Sequence, residues 1–191
     1  MTAPADRLTP AQREAVLRWK LGHQVFHLLL VALNTRLDET IGRLDAGRWD
    51  TTEADLRELA RLYDASTATM RYAADFPRAE YQRLVRPSMM PPFAGEGFSG
   101  QYNTDHARML DGLRTLRRRY EARRGDAPEP VRAAWRRLLD TQRVNRRNHM
   151  HVCRRFVDDG DSLLQRYFRQ QHAAGAGGGR DARGHELGGA P

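Results

Sequence analysis

An arginine-rich helix with one apolar stripe is predicted by the stretch RRNHMHVCRRFV, residues 146–157. Steps of three and four residues from His149 lead to an apolar set: Cys153, Phe156 and Val157, with Val152 at its edge. An imidazole on such a stripe is a haem ligand, a metal ligand or a core histidine, and the stripe alone favours the core histidine. His23 has the same character near the other end of the chain. Two inward-facing histidines on separate helices suggest a cofactor bound between them.

Helical periodicity also governs the N-terminal part of the chain. Thr9 as N-cap and Pro10 in the first turn start a long helix that ends near Ala46, before Gly47. Its inward face has the helical spacing of three and four residues: Val16, Trp19, His23, Phe26 and Leu30. A second helix is predicted to follow the cap signal TTEAD, residues 51–55.

Further helices are predicted downstream. Asp75 as N-cap, with Pro77 in the first turn, starts a short helix that ends near Arg86. Asn103 or Thr104 caps the next helix, which residues 125–130 break. A long helix then covers residues 131–157, and a short one covers residues 162–171. The sequence has no strand pattern and no internal repeat, so we predict an all-α fold, a helical bundle.

The predicted domain spans residues 1–172, and a disordered Gly/Ala-rich tail follows at 173–191. Prolines and glycines in PSMMPPFAGEGFSG, residues 87–100, forbid a regular element there. Met89, Met90 and Phe93 make this loop apolar, so we expect it to cover the core or a pocket.

Composition indicates a cytoplasmic globular protein with a lean core. Hydrophobic residues make up 40% of the 191 residues, and charged residues make up 29%. The longest apolar run, residues 28–33, is too short to span a bilayer, and the polar N-terminus does not resemble a signal peptide. Cys153 is the single cysteine, which excludes an internal disulfide and fits a reducing compartment.

The net charge of +8 raises the possibility of a nucleic-acid partner. Lys20 is the only lysine, and the arginines are interleaved with acidic residues outside residues 114–124 and 143–147. Solvated helix faces are therefore favoured over a phosphate track. Phe and Trp are absent from 114–124, where Tyr120 is the single aromatic residue.

A metal centre built from protein ligands alone is disfavoured. His23 and His27 have the i,i+4 spacing of a helical chelate, but no carboxylate stands at an obvious completing position. His106, near a helix start, is predicted to lie on the surface. The sequence has no CxxCH motif, no Gly-rich phosphate loop and no nucleophile elbow.

The chain resembles the tryptophan 2,3-dioxygenase superfamily of haem proteins in four blocks that occur in the family's order. HQVF at residues 23–26, followed by two leucines, resembles the helix that bears the distal histidine. Residues 56–81 resemble the segment leading to the substrate carboxylate, and GFSG at 97–100 resembles the loop above the haem. Residues 146–157 resemble the axial-histidine helix.

Three departures from the family pattern accompany this resemblance. His27 replaces the glutamate of the distal motif, and Gln82 stands where the family has its carboxylate-binding arginine. The family's GTGGSSG loop is replaced by DDGDS at residues 158–162. Arg83 and Arg86 are then the nearest candidates for binding a substrate carboxylate.

The resemblance implies a haem b cofactor and assigns roles to named residues. His149 would ligate the iron, with His151 as the alternative that the spacing to Gly160 favours. His23 would act on the distal side, next to Trp19. The remaining candidates line the cofactor or the substrate: Cys153, Gly97 and Phe98, with Phe98 contacting both.

The resemblance further implies a haem-dependent oxygenase that uses dioxygen on an indole or a related aromatic substrate, in specialised metabolism, by dioxygenation or monooxygenation. It also implies a homo-oligomer, a dimer or tetramer. The alternatives are a haem-binding family member without oxygenase activity and an arginine-rich helical nucleic-acid-binding protein.

Overall fold

Helices make up almost all of the computed structural model of the chain, which describes residues 8–89 and 103–156, and no strand occurs among these residues. The helices are α1 (Pro10–Asp45), α2 (Trp49–Ala73), α3 (Arg78–Glu80), α4 (Arg86–Ser88), α5 (Thr104–Arg123) and α6 (Glu129–Phe156). A π-helical segment, Tyr81–Val85, joins α3 to α4, and a 3-10 turn, Arg124–Asp126, follows α5. The predicted all-α bundle is confirmed.

The four long helices pack as a bundle in which α1 runs antiparallel to α2. Position 22 of α1 approaches position 73 near the end of α2, and Arg36 of α1 binds Asp55 near the start of α2, at 3.1 Å. α5 is parallel to α1, since Asn34 Nδ2 donates to the Asp105 carbonyl at 3.0 Å near the start of α5. None of the described helices has the length and apolar character needed to cross a membrane.

α6 closes the bundle between α2 and α5. It runs parallel to α2, because Arg137 pairs with Asp64 at 2.7 Å and Arg71 Nε donates to Asn148 Oδ1 at 3.0 Å further along both helices. The rings of Tyr120 on α5 and Trp135 on α6 stack with their centroids 4.3 Å apart. The C-terminal ends of α2 and α6 therefore lie at the same end of the bundle as the N-terminal part of α1.

Two apolar clusters form the interior of the described residues. The larger one fills the middle of the bundle, with fully buried leucines from α1, α2, α5 and α6: Leu30, Leu33, Leu37, Leu44, Leu56, Leu59, Leu116 and Leu138. The smaller one lies at the end described above and is rich in aromatic rings: Phe76, Tyr81 and Phe156, with Trp19 packed against them. This smaller cluster is the one that adjoins the candidate site.

The predicted limits of α1 are confirmed. Thr9 Oγ1 accepts from the Gln12 backbone N–H, and the Gln12 side chain accepts from the Thr9 backbone N–H, which forms a capping box. Helix α1 ends at Asp45, one residue earlier than predicted, and Gly47 follows with φ +70°, a backbone conformation that favours glycine.

Two other predicted helix starts are wrong. α2 begins at Trp49 rather than after residues 51–55, since Trp49 packs against the larger core and Arg123 covers its ring. α3 begins after Pro77, which is itself the N-cap, because the Asp75 carboxylate instead pairs with Arg18 at 3.1 Å.

The start of the loop predicted at residues 87–100 is wrong. Pro87 and Ser88 belong to α4, which continues the π-helical segment. Residues 90–100 of that loop lie outside the described residues. The helix predicted at 162–171 and the tail predicted at 173–191 lie outside them as well.

Replacing Gly22 with alanine should destabilise the fold, because a Cβ at this position would lie 2.4 Å from the Ala73 Cβ and α1 would have to move away from α2. We expect the free energy of unfolding, measured with urea, to fall by about 1–3 kcal/mol, the usual cost of overpacking. Gly42 is the matched control, since a Cβ at that position would have no other atom within 4 Å. Gly42→Ala should gain up to about 1 kcal/mol. Equal stability of the two variants would contradict the close contact.

Candidate active site

Two half-buried histidines from different helices lie near each other at the aromatic end of the bundle. His149 lies on α6 and His106 lies in the first turn of α5. Burial lowers the pKa of His149, and the nearby His106 lowers it further. Burial also lowers the pKa of His106. Both rings are therefore held in the neutral form at pH 7, in which a ring nitrogen can accept a proton or bind a metal.

The prediction that His106 lies on the surface is wrong. Its backbone N–H donates to the N-cap side chain of Asn103 at 3.0 Å, which fixes the start of α5. Its side chain then falls one turn before the buried Met109, on the inward face. The signal was present in the sequence, because His106 precedes Leu113 by seven residues, the spacing of two helical turns.

His23, on α1, is held by a local hydrogen bond. Its Nδ1 lies 2.8 Å from the Trp19 carbonyl oxygen, and a carbonyl oxygen only accepts. Nδ1 is therefore the protonated nitrogen, and Nε2 is the acceptor of the neutral ring. Burial lowers the pKa of His23, while the hydrogen bond to Trp19 opposes this in part. The Trp19 indole lies against the His23 ring with 4.0 Å between centroids.

Aromatic rings form a continuous wall beside these histidines. The Tyr81 ring stacks on the Phe156 ring, with 4.6 Å between their centroids, and meets the Trp19 ring edge-on at 5.5 Å between centroids. The Phe76 and Phe156 ring centroids are 5.4 Å apart. Burial raises the pKa of the Tyr81 phenol, Arg86 lowers it, and the nearby Cys153 raises it slightly. Cys153, one turn after His149 on α6, therefore lies near Tyr81 of the aromatic wall.

Contacts between helices place His23 and the histidine pair at the same end of the bundle. The ring of His27, one turn after His23, lies 3.9 Å from the carboxylate of Asp105, the neighbour of His106. On the other side, Trp19 contacts Tyr81, which stacks on Phe156 two turns after His149. Three helices therefore contribute one histidine each to this region.

His151, the alternative ligand, is exposed and faces a different surface of α6. It lines an open cleft of about 700 Å³ between the C-terminal parts of α2 and α6. Three arginines also line this cleft: Arg71, Arg147 and Arg155. Arg155 donates to the Phe76 carbonyl at 3.1 Å, which ties the cleft to the aromatic cluster. The two candidate ligands thus belong to two separate environments.

The predicted carboxylate-binding arginines lie apart from the histidines, on the exposed side of the short helical segment. Arg83 pairs with Glu80 at 3.0 Å, and Arg86 donates to Gln82 Oε1 at 3.2 Å. Gln82 in turn donates to the Phe156 carbonyl at the end of α6. Gly97 and Phe98, predicted to line the substrate pocket, lie outside the described residues.

Metal ligands are few in this region. Within residues 8–89 and 103–156, no group of three or more His, Cys, Asp or Glu side chains is placed to hold a metal ion. The donors near the site are imidazole nitrogens and the Cys153 sulfur, of the type that binds iron in haem proteins.

The three neutral histidines should make the stability of the protein sensitive to acid. Their pKa values are lowered from the ordinary value of 6.5, so the unfolded chain binds more protons than the folded one as the pH falls below about 6.5. We expect the free energy of unfolding, measured by urea denaturation, to be highest above that pH and to decline as the pH falls below it.

The triple variant His23→Phe, His106→Phe, His149→Phe removes all three groups and should flatten this decline. An equally steep decline in the triple variant would show that other groups cause it.

Comparison with known proteins gives two related matches. The family model of SfmD 3-methyl-L-tyrosine peroxygenase matches residues 1–134, a range that includes His23 and His106 and ends before His149. A 3-methyl-L-tyrosine peroxygenase of Streptomyces lavendulae is 31% identical over 161 residues, which cover 81% of this chain. The match spans 42% of that relative, less than half of its length. No solved structure matches significantly.

Proposed function

Given that this chain belongs to the SfmD 3-methyl-L-tyrosine peroxygenase family, we propose that it is a haem-dependent enzyme that oxygenates the ring of an aromatic amino acid. A tyrosine-type phenol is the first substrate class, because the relative from Streptomyces lavendulae carries 3-methyl-L-tyrosine in its name. An indole remains the second class, from the resemblance to tryptophan 2,3-dioxygenases. With peroxide as oxidant, the ring C–H becomes C–OH and the peroxide leaves as water.

The observation that carries this proposal is the pair of neutral imidazoles, His149 on α6 and His106 on α5. A neutral imidazole nitrogen is the protein donor that haem iron takes most often. His149, which lies on the inward stripe of α6, would hold the iron, and His106 would supply a second imidazole at the same place. Cys153 and Phe156, on the same stripe, would line the cofactor.

The surroundings of the pair fit a cofactor in one further respect. Asn148 Nδ2 and Asn34 Oδ1 are buried side-chain atoms with no hydrogen-bond partner among the described residues. The amide of Asn34 is bound to Asp105, which precedes His106, whereas Asn148 lines the α2–α6 cleft with His151 and accepts from Arg71. Buried polar atoms without partners are rare in folded proteins and concentrate at functional sites.

His23 would act on the substrate rather than on the cofactor. Because Nδ1 donates to the Trp19 carbonyl, Nε2 is the atom that can accept a hydrogen bond from a phenol O–H or an indole N–H. Accepting that proton raises the electron density of the ring that is attacked. Trp19 and Tyr81 supply flat apolar surfaces on which the substrate ring can stack and which exclude water.

Haem, when bound, supplies the activation of the oxygen donor, peroxide or dioxygen. The protein's own contribution is then the holding of neutral imidazoles by burial, the fixed tautomer of His23 and the aromatic wall. The fold relationship to tryptophan 2,3-dioxygenases stays part of this proposal.

A second location for the cofactor follows from the cleft at His151. Its three arginines could bind carboxylates such as haem propionates, and an exposed imidazole is accessible to iron. We favour His149, because His151 has no second imidazole among the described residues that lines the same cleft.

Titration of the purified protein with hemin tests the cofactor and its ligand together. We expect a saturable Soret band at one haem per chain, which His149→Ala abolishes and His106→Ala weakens or shifts. His151→Ala is the matched control on the same helix and should leave the band unchanged.

Loss of the band in His151→Ala alone would move the cofactor to the α2–α6 cleft. A wild-type protein without saturable uptake would overturn the haem proposal and leave the arginine-rich nucleic-acid-binding alternative.

Turnover by the haem-loaded protein tests the role of His23. With peroxide, or with dioxygen and a reductant, we expect oxygenation of 3-methyltyrosine or tyrosine, detected as a mass increase of one oxygen atom. His23→Gln should lower kcat by at least about 100-fold, because glutamine cannot take up the proton, while the Soret band is retained.

His27→Gln, one turn further along α1, is the matched control and should keep turnover within a few-fold. Equal losses in both variants would contradict the assignment of His23. Full haem loading without turnover on phenols or indoles would favour a haem-binding family member without oxygenase activity.

A further inference from the structure

The α2–α6 cleft brings together arginines that have no carboxylate partner. Arg71 of α2 faces Arg147 and Arg155 of α6 across this space of about 700 Å³, a volume in the range of small-molecule sites. Within residues 8–89 and 103–156, none of the three forms an ion pair. If haem is held at His149, as proposed above, these arginines are left for another ligand.

Elsewhere on the same two helices, exposed arginines do pair with carboxylates. Arg137 of α6 binds Asp64 of α2 at 2.7 Å. Arg143, also on α6, binds Asp140 at 2.8 Å. Like charges that two helices bring to one cleft repel each other, and a bound anion would replace this repulsion with attraction. The absence of ion pairs among the described residues therefore distinguishes the cleft from the remaining arginine-rich surface of α2 and α6.

Two of the cleft arginines are held in place by the protein. Arg71 Nε donates to Asn148 Oδ1 at 3.0 Å, which leaves the two terminal nitrogens of Arg71 without a partner among the described residues. Arg155 donates to the Phe76 carbonyl at 3.1 Å. Asn148 Nδ2, in the wall of the cleft, is a further donor that is buried and unpartnered among the described residues. Guanidinium and amide N–H groups only donate, so these groups suit an anion that only accepts.

The cleft has one carboxylate among the described residues that line it, and that carboxylate is already bound. Asp75 pairs with Arg18 at 3.1 Å, so it does not neutralise the three arginines. The cleft lies at the C-terminal parts of α2 and α6, where the helix dipoles place partial negative charge. A singly charged carboxylate is therefore a better fit than a doubly charged phosphate.

Apolar side chains lie beside the arginines in the same cleft. Tyr72 of α2 is 45% exposed and Val144 of α6 is 43% exposed, and both line the space. A ligand ring placed on them would cover apolar surface that is otherwise in contact with water. The lining thus suits a ligand that combines an acid group with an aromatic ring.

We propose that the α2–α6 cleft binds a small aromatic carboxylic acid, whose carboxylate accepts from Arg71 and Arg147 and whose ring lies on Tyr72 and Val144. Exposed pairs of arginine and carboxylate are weak, so we expect a dissociation constant of about 0.1–1 mM that rises with salt. An aromatic amino acid is one such acid. For that ligand the inference rests on the proposed function and names the place where the carboxylate is bound.

A titration of the full chain with 3-phenylpropionate, followed by ligand-observed NMR, tests the cleft. The neutral 3-phenylpropanamide, which has the same ring, should bind at least about tenfold more weakly. Arg71→Gln and Arg147→Gln should each raise the dissociation constant for the acid about fivefold. Arg143→Gln is the matched control, because it removes the same charge from α6 one turn before Arg147 and outside the cleft. It should leave the dissociation constant unchanged.

Three results of this titration would overturn the proposal. The first is equal affinity for the acid and the amide, and the second is an equal dissociation constant in all three arginine variants. The third is displacement of 3-phenylpropionate by an equal concentration of inorganic phosphate, which would indicate an anion site without preference for an aromatic acid.

Repeating the titration after hemin has been added separates the cleft from the haem. Unchanged binding of 3-phenylpropionate would support a site of its own. Loss of binding, together with weaker hemin uptake by Arg147→Gln, would assign the arginines to the haem propionates and overturn the proposal. The titration needs neither haem uptake nor turnover, and 3-phenylpropionate has no phenol to be oxygenated. A failure of the proposed function is therefore distinguishable from a failure of this inference.

Discussion

The close packing of α1 against α2 is the constraint on which the rest of the structure depends. Position 22 can hold only glycine without displacement, because the Ala73 Cβ would lie 2.4 Å from any Cβ placed there. His23 follows this contact directly, and Trp19 lies one turn before it. The distance between the two helix axes therefore sets where the indole and the imidazole stand relative to Tyr81 and Phe156. This close contact and the candidate site residue His23 are therefore adjacent in the sequence. The other end of the same helix pair is held by charge, since the buried Asp55 of α2 accepts from both Arg36 and Arg43 of α1.

The sequence predicted the helical architecture well because helical spacing is a local property. Thr9 and Gly47 mark the limits of α1 through capping and positive φ, and both act within a few residues. The start of α2 could not be predicted in this way, because Trp49 is drawn into the helix by packing against residues far along the chain. Asp75 failed as an N-cap for the same reason, since Arg18 of another helix takes its carboxylate.

Burial of a histidine was predictable only where the histidine lies within a clear apolar stripe. His23 and His149 met that condition, whereas polar residues at the start of α5 obscured the spacing from His106 to Leu113. Pairing of His106 with His149 depends on how α5 and α6 pack, which no local pattern encodes. The positions of the two candidate arginines also depend on contacts that the sequence pattern did not reveal. Arg83 and Arg86 were predicted from the resemblance to bind a substrate carboxylate, and in the structure they are exposed and bound to Glu80 and Gln82.

Buried polar groups at the aromatic end of the bundle lower the free energy of unfolding. Burial of His106 and His149 costs free energy in acid, and Asn148 Nδ2 and Asn34 Oδ1 lack partners among the described residues. A protein selected for stability alone would fill these positions with leucine, as the middle of the bundle does. His106, His149 and Asn34, which binds Asp105 beside His106, belong to the surroundings of the imidazole pair, whereas Asn148 lines the α2–α6 cleft. Since a ligand that binds only the folded state returns such a cost as binding free energy, this pair is the part of the chain that a cofactor would stabilise most.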